Sequence, residues 1–260
     1  MIAPLLTILI GMVSYWLILK KEKSKGCVTV FVHGYKGTYN TFGPLIRRFE
    51  KKYRWGRKAA IYYISSSSDI HIMDLKNIKH ENTFIQVIFG NNRANFEDYT
   101  KWLSLVMEDL KNKYQHATFN LVGHSMGGIT AIKYLEDYQN SRKFPRIDKL
   151  IVLGSPFDGV YSKEYFEIHK DPATTDLKHN STALQLLRNN SYKIPKNIDV
   201  LSIGSIGDVI AEPESVDTIS NIVDNKLLKK IMIDRKEVGH SELHEDEVVD
   251  HMIYSFLWVN

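Results

Sequence analysis

Residues 119–128 read FNLVGHSMGG, an apolar run that leads into a Gly-x-Ser-x-Gly turn. The apolar part is short enough for a buried strand, and the residues after the turn repeat at helical spacing: Ile129, Ala131, Ile132 and Leu135. A serine between such a strand and helix takes a strained backbone conformation that only small neighbours permit, so its hydroxyl projects from the sheet edge. The free N–H groups at the start of the helix point at any anion beside it. The stretch therefore predicts Ser125 as a nucleophile.

Strand and helix patterns alternate along the rest of the chain. Short apolar or β-branched runs predict strands at 27–32, 59–64, 83–89, 149–153, 199–203 and 230–233. Helical spacing predicts helices at 95–114, after Ser125 and near the carboxyl end, and we expect Pro44 near the start of another. This alternation predicts an α/β fold with a mostly parallel central sheet and helices on both faces.

The polar stretch 157–192 has no strand pattern. It lies between two predicted strands, and we interpret it as a small lid-like insertion above the strand ends. No internal repeat or linker to a second domain is visible, so residues 25–260 are predicted to form one domain.

The composition is that of an ordinary globular protein, because 43% of the 260 residues are hydrophobic and 25% are charged. The net charge of +4 does not require a nucleic-acid partner. A single cysteine, Cys27, excludes an internal disulfide framework and a cysteine-based zinc site. We expect neither a metal nor another cofactor, and the sequence does not set an oligomeric state.

The first residues differ from the rest, because no side chain from Ile2 to Leu19 is charged. As a helix this run would span about 27 Å, close to the thickness of a bilayer core. Lysines follow the run, Tyr15 and Trp16 are interfacial aromatics, and no signal-peptide cleavage pattern is present. We predict an uncleaved transmembrane anchor over residues 1–24; the alternative is a buried first helix.

Two further charge patterns bear on the membrane. Lysines only on the carboxyl side of the anchor favour a cytoplasmic domain. Residues 47–58 include seven basic side chains, which could contact anionic headgroups or form a solvated helix face.

The nucleophile needs a general base and an orienting carboxylate, in the chain order serine, acid, histidine. Asp208 is the preferred acid, because it follows the strand 199–203 in a glycine-containing loop. Asp158 is the competing acid, while Asp217 and Asp234 are less well placed.

His240 is the preferred base, because it follows the last predicted strand in the sequence Val238-Gly239-His240-Ser241. His244 is the alternative, and His251 falls in the final helix. His124 adjoins the serine, but its side chain is expected to point into the fold in a supporting role.

An oxyanion hole requires two backbone N–H groups directed at the carbonyl oxygen. Met126 supplies one as the residue after the nucleophile. The turn His33-Gly34-Tyr35 after the first strand supplies the other, and the Tyr35 amide is the preferred donor.

Several stretches resemble known proteins. Three stretches resemble the lipase and esterase branch of the α/β-hydrolase fold: Phe31-Val32-His33-Gly34, Gly123-His124-Ser125-Met126-Gly127-Gly128 and Gly239-His240-Ser241. Four stretches resemble a family of cell-surface α/β hydrolases of Gram-positive bacteria, which is largely of unknown function. They are Ile85-Gln86-Val87-Ile88-Phe89, residues 119–128, His240-Ser241-Glu242-Leu243-His244-Glu245 and Phe256-Leu257-Trp258. In that family glycine usually follows the acid, whereas Val209 follows Asp208 here.

The resemblance implies a membrane-anchored serine hydrolase acting on small-molecule or lipid esters through an acyl-enzyme. It also implies an extracellular domain, so the side of the membrane stays open. An acyltransferase with the same three residues is an alternative, and a non-catalytic binding module anchored to the membrane is another.

Overall fold

The computed structural model describes residues 27–74, 82–115 and 118–259, and within them eight strands form one sheet. The strands are β1 Cys27–Val32, β2 Arg57–Ile64, β3 Ile70–Asp74, β4 Thr83–Phe89, β5 Thr118–His124, β6 Ile147–Leu153, β7 Asp199–Ser205 and β8 Leu228–Ile233. Their order across the sheet is β3-β2-β4-β1-β5-β6-β7-β8. Only β3 is antiparallel to its neighbour, which confirms the mostly parallel sheet.

Helices connect the strands. The α-helices are α1 Tyr39–Arg47, α2 Phe96–Lys113, α3 Met126–Tyr138, α4 Lys163–Ile168, α5 Pro172–Asp176, α6 Thr182–Asn189, α7 Pro213–Asp217 and α8 Glu247–Trp258. A π-helical turn at Arg48–Lys52 continues α1, and short 3-10 turns occur at Ser191–Lys193, Thr218–Asn221 and Glu242–His244.

The sheet is covered on both faces, as predicted. Alternate side chains of β1 divide between the two layers, because successive residues of a strand point to opposite faces. Val30 and Val32 belong to the core that contains the apolar residues of α2 and α3. Phe31 belongs to the core formed with α1 and α8.

The prediction that a helix begins near Pro44 is wrong. Helix α1 begins at Tyr39, because Thr38 caps it: the Thr38 side chain accepts a hydrogen bond from the Asn40 amide, and the Thr38 amide donates to the Thr41 side chain. Pro44 therefore lies inside the helix. The antiparallel edge strand β3 was not predicted.

The predicted anchor, residues 1–24, lies outside the described residues. Among the helices that the structure does describe, none combines the length and the apolar character needed to cross a bilayer. The predicted insertion at 157–192 contains the short helices α4, α5 and α6.

Candidate active site

Ser125 occupies a sharp turn between β5 and α3. Its φ of 55° and ψ of −128° lie in a region that glycine favours and other residues enter at a cost. The turn is held by the Ser125 amide, which donates to the Leu153 carbonyl of β6 at 2.8 Å, and by the Gly128 amide, which donates to the Ser125 carbonyl at 3.0 Å. The sequence prediction of a strained serine at the carboxyl edge of the sheet is confirmed.

Two glycines make room for this turn. A Cβ atom on Gly123 would lie 2.5 Å from the Gly127 carbonyl oxygen. A Cβ atom on Gly34 would lie 2.7 Å from the His124 carbonyl oxygen and 2.8 Å from the Ser125 Cβ. Any side chain at Gly34 would therefore push the loop after β1 away from the serine.

His240 and Asp208 form a close pair in which the acid is buried and the histidine is partly exposed. The Nδ1 atom of His240 lies 2.7 Å from Oδ2 of Asp208, whose side chain is fully buried. The other oxygen, Oδ1, accepts hydrogen bonds from the amides of Ile210 and Ala211 at 2.9 and 2.8 Å. Hydrogen bonds from its own loop thus fix the orientation of the carboxylate that contacts the histidine.

This pair lies beside the serine turn. The ring of His240 is centred 4.7 Å from the ring of His124, the residue before Ser125. Gly154 follows β6 with a φ of 51°, and a Cβ there would lie 3.0 Å from Asp208 Oδ2. The ends of β5, β7 and β8 therefore carry the three residues that the sequence singled out to one edge of the sheet, although their catalytic roles stay predictions.

The Asp208 contact determines which nitrogen of His240 can act as a base. An ionised carboxylate only accepts hydrogen bonds, so the Nδ1 atom of a neutral His240 carries the proton. Its Nε2 atom then has a free lone pair, which is the state that a general base requires.

Two backbone amides are available near the serine. Met126 is the first residue of α3, so its N–H has no acceptor within the helix. The Tyr35 amide donates to no backbone carbonyl among the described residues. Gly34 brings this loop against the serine turn, since a Cβ there would lie 3.0 Å from the Met126 nitrogen.

A residue that the sequence analysis did not assign, His33, fixes the loop that carries Tyr35. The Phe89 amide donates to Nε2 of His33 at 3.0 Å, so this nitrogen is unprotonated. Nδ1 therefore carries the proton and donates to the Gly34 carbonyl at 2.8 Å. Burial lowers the pKa of His33 to about 4, which keeps the ring neutral.

His124 also has a supporting position. Its Nε2 atom lies 2.9 Å from the His240 carbonyl oxygen, which can only accept, so Nε2 donates. Burial, and then the neighbouring His240 and His244, lower the pKa of His124 well below its usual value. A neutral His124 thus braces the backbone of His240.

The alternative base and acid are engaged elsewhere. His244 is buried between His124 and Phe42, and burial lowers its pKa to about 4. Asp158 contacts Arg188 Nη1 at 3.1 Å and His179 Nδ1 at 3.0 Å instead of His240. Asp217 forms an ion pair with Lys230 on the surface.

The segment that follows β6 is tied to the loop that carries Tyr35. The Tyr35 hydroxyl donates to Asp171 Oδ2, and Arg93 Nη1 contacts the same oxygen at 2.9 Å. Lys36 Nζ lies 2.9 Å from His169 Nδ1. The predicted insertion therefore contacts the proposed oxyanion loop directly.

Within residues 27–74, 82–115 and 118–259, no group of three or more histidine, cysteine or acidic side chains is arranged to hold a metal ion. A serine, a histidine and an aspartate are the residue types that covalent catalysis by a serine requires.

Comparison with known families gives a match over most of the chain. Residues 17–260 match the model of a family described as "Alpha/beta hydrolase of unknown function (DUF915)". The comparison with curated proteins gives no match.

Solved structures show the same fold. A lin2722 gene product from Listeria innocua is 22% identical with a TM-score of 0.74, over 90% of this chain and 94% of the other. A candidate cell surface hydrolase from Lactobacillus plantarum WCFS1 is 21% identical with a TM-score of 0.69, over 90% of each chain. An esterase from Pyrococcus furiosus is 13% identical with a TM-score of 0.57, over 91% of this chain and 83% of the other.

Proposed function

The chain belongs to a family of α/β hydrolases of unknown function (DUF915), and we propose that it is a serine hydrolase that cleaves carboxylic esters. The observation that carries this proposal is the Asp208–His240 pair, held at 2.7 Å beside a serine in a strained turn. The similarity in fold to an esterase is consistent with this reaction class.

In the proposed reaction, Ser125 Oγ attacks the carbonyl carbon of the ester while His240 Nε2 accepts the hydroxyl proton. Collapse of the tetrahedral intermediate breaks the bond to the alcohol, which leaves with the proton from His240. Water then attacks the acyl-enzyme, again with His240 as the base, and releases the carboxylic acid. Asp208 holds the imidazole and stabilises its charged form.

The amides of Tyr35 and Met126 are proposed to bind the negative oxygen of each tetrahedral intermediate. A preorganised donor of this kind lowers the barrier by about 2.7 to 4 kcal/mol. The hydrogen bond from His33 to Gly34 and the close approach of Gly34 support the position of the Tyr35 amide.

The reaction can be tested on the full-length chain with a fluorophosphonate probe and a series of p-nitrophenyl esters. We expect Ser125→Ala to lose both labelling and hydrolysis. Ser155→Ala is the matched control, because Ser155 is a fully buried serine close to the start of α3. Labelling that persists in Ser125→Ala would refute the assignment, and a wild-type protein that is not labelled would point to a binding module.

Acyl transfer uses the same site, so product analysis must separate it from hydrolysis. The ratio of ester product to free acid is measured with and without an added alcohol. Free acid as the main product in both cases supports the hydrolase, whereas a product that shifts to the new ester supports the acyltransferase.

We also propose that residues 1–24 anchor the protein in the cell membrane with the catalytic domain on the cytoplasmic side. The uncharged run from Ile2 to Leu19 and the lysines after it support this. The chain should sediment with membranes and be released by the double substitution Leu6→Lys and Ile10→Lys. Digestion of the catalytic domain by protease added to intact cells would place it outside instead.

A further inference from the structure

Lys58 is a buried cation in an unusual setting. Only 8% of the residue is exposed, and no described carboxylate forms an ion pair with its ammonium group. Its Nζ atom donates to Gln86 Oε1 at 2.7 Å and lies 4.4 Å from the centre of the Tyr39 ring. Lysine is almost never buried without a paired acid, because burial removes the water that stabilises the charge. Burial accordingly lowers the pKa of Lys58 to about 8.

The surrounding chain holds this lysine in place. The register between β2 and β4 shifts between Lys58 and Ala60, and such bulges redirect side chains. Gln86 Nε2 donates to the Tyr39 carbonyl at 2.7 Å, which turns Gln86 Oε1 towards the ammonium. The lysine is therefore oriented by a fixed amide and an aromatic ring, and no carboxylate among the described residues contacts its ammonium group.

Lys58 lines an open groove between α1 and β2, which we call the Lys58 groove. Its charged lining residues are Arg47, Glu50, Lys51 and Lys58, and its apolar lining includes Ile46 and Ile61. Lys51 Nζ lies 3.6 Å from Glu50 Oε2, and the Glu50 charge also favours the charged form of Lys58. Arg47 is exposed and forms no ion pair within the described part of the chain. The charged lining of the groove thus consists of three cations and one carboxylate, a net positive charge.

We propose that the Lys58 groove binds a phosphate group, with Lys58 and Arg47 as its two cationic contacts. A phosphate supplies the contacting anion that the buried lysine lacks and offsets the net positive charge of the groove, and an arginine beside it can donate two parallel hydrogen bonds. The apolar side chains of Ile46 and Ile61 line the same groove, so a carbon chain attached to the phosphate would meet an apolar surface there.

This site is separate from the proposed catalytic site. Lys58 is the second residue of β2 and is paired with Phe84 near the start of β4, whereas Ser125 follows the end of β5. Because these strands are parallel, the groove and the serine lie towards opposite ends of the sheet. Failure of either proposal therefore leaves the other intact.

The proposal is tested by calorimetric titration of the full-length protein with inorganic phosphate. We expect saturable binding of one phosphate per chain, and binding at least about tenfold weaker in Lys58→Met, which keeps the length of the side chain. Lys226→Met is the matched control, because it removes the same charge from an exposed lysine outside the groove. Its affinity should equal that of the wild type.

A second variant guards against a folding defect in Lys58→Met. The double substitution Arg47→Gln and Lys51→Gln changes only exposed side chains, and it should also weaken phosphate binding while p-nitrophenyl ester hydrolysis stays at the wild-type rate. No saturable binding by the wild type up to about 10 mM phosphate would overturn the proposal. Equal binding by the wild type and both groove variants would overturn it too.

The source of the phosphate is separated by comparing inorganic phosphate with dihexanoyl phosphatidylglycerol kept below its micellar concentration. Tighter Lys58-dependent binding of the short-chain lipid identifies a lipid headgroup as the ligand. Tighter Lys58-dependent binding of inorganic phosphate identifies a free phosphate or phosphorylated solute. Either result supports the site, and binding of both probes that does not depend on Lys58 contradicts it.

Discussion

His240 Nδ1 lies 2.7 Å from Asp208 Oδ2, while the other oxygen of the same carboxylate is occupied by the amides of Ile210 and Ala211. The acid therefore has one fixed orientation, and the histidine takes its tautomer from it. This is the relationship on which the proposed proton transfer depends, so it leads to the first prediction.

Asp208→Asn should lower kcat for p-nitrophenyl esters by roughly three to four orders of magnitude, because the amide can donate to Nδ1 and favour the wrong tautomer. The shape of the side chain is kept, so the fold should persist by circular dichroism. Fluorophosphonate labelling of Ser125 should slow in parallel.

Asp158→Asn is the matched control for that prediction. Asp158 contacts Arg188 and His179, not His240, so its loss should leave kcat close to the wild-type value. If Asp158→Asn were the inactive variant and Asp208→Asn the active one, the acid would be misassigned.

Gly34→Ala should lower kcat by about two orders of magnitude, the effect of losing one oxyanion donor. The added Cβ would lie 2.7 Å from the His124 carbonyl oxygen and would displace the loop that carries the Tyr35 amide. KM should change much less than kcat, because the amide acts on the transition state. Steady-state kinetics on one ester measures both.

The control for this glycine is Gly204→Ala in β7. Its Cβ would meet the flexible end of Met232 at 2.8 Å, so the neighbour can move aside. Comparable activity of both alanine variants would show that the loop after β1 does not form the oxyanion hole.

Local sequence patterns predicted most of the elements around the site. The apolar run before Ser125, the spacing from 95 to 114 and the short strand at 199–203 each match an observed element. These patterns are informative because burying one face of a helix or strand requires apolar residues at the spacing of that element. Pro44 misled the prediction, because the capping residue Thr38 determines where the helix begins.

Contacts between distant residues could not be read from such patterns. His33 takes its tautomer from the amide of Phe89, which lies 56 residues further along the chain. Arg48 belongs to the basic stretch 47–58, yet it pairs with the buried carboxylate of Asp250, 202 residues away, and does not join the exposed charges. Burial of Lys58 likewise depends on the neighbouring strand and helix. The charge and spacing of these basic residues do not show which of them are buried or paired and which are exposed.

Asp171→Asn should lower the thermal midpoint at pH 7, because it weakens the link from the predicted insertion to Tyr35 and Arg93. The hydrogen bond from Tyr35, and then the contacts with Arg93, lower the pKa of Asp171 below its usual 3.8. An acid whose pKa is lower in the folded protein stabilises the fold at pH values above its unfolded pKa. The difference in thermal midpoint between the wild type and Asp171→Asn should therefore shrink as the pH falls below 3.8. Differential scanning fluorimetry at several pH values measures it. Asp217→Asn, in an exposed pair with Lys230, should change the midpoint little at any pH.

Glu136→Gln should remove a pH dependence of stability that originates in α3. Glu136 is 4% exposed, and its Oε1 atom has no hydrogen-bond partner among the described residues. Burial raises the pKa of this carboxyl to about 8, from 4.5. Between these two pKa values the folded protein holds a proton that the unfolded chain releases. The stability that the protonated Glu136 contributes is therefore complete below pH 4.5 and is lost as the pH rises through 8.

The free energy of unfolding of the wild type, measured relative to Glu136→Gln, should fall by about 3 kcal/mol between pH 5 and pH 8, since one pKa unit corresponds to about 1.4 kcal/mol. Urea unfolding at each pH provides the measurement. Glu97→Gln is the control, because Glu97 is an exposed residue on the neighbouring helix α2, and its variant should follow the wild type. Parallel curves for the wild type and Glu136→Gln would mean that Glu136 is ionised in the folded protein, and that its charge is stabilised within α3 despite burial.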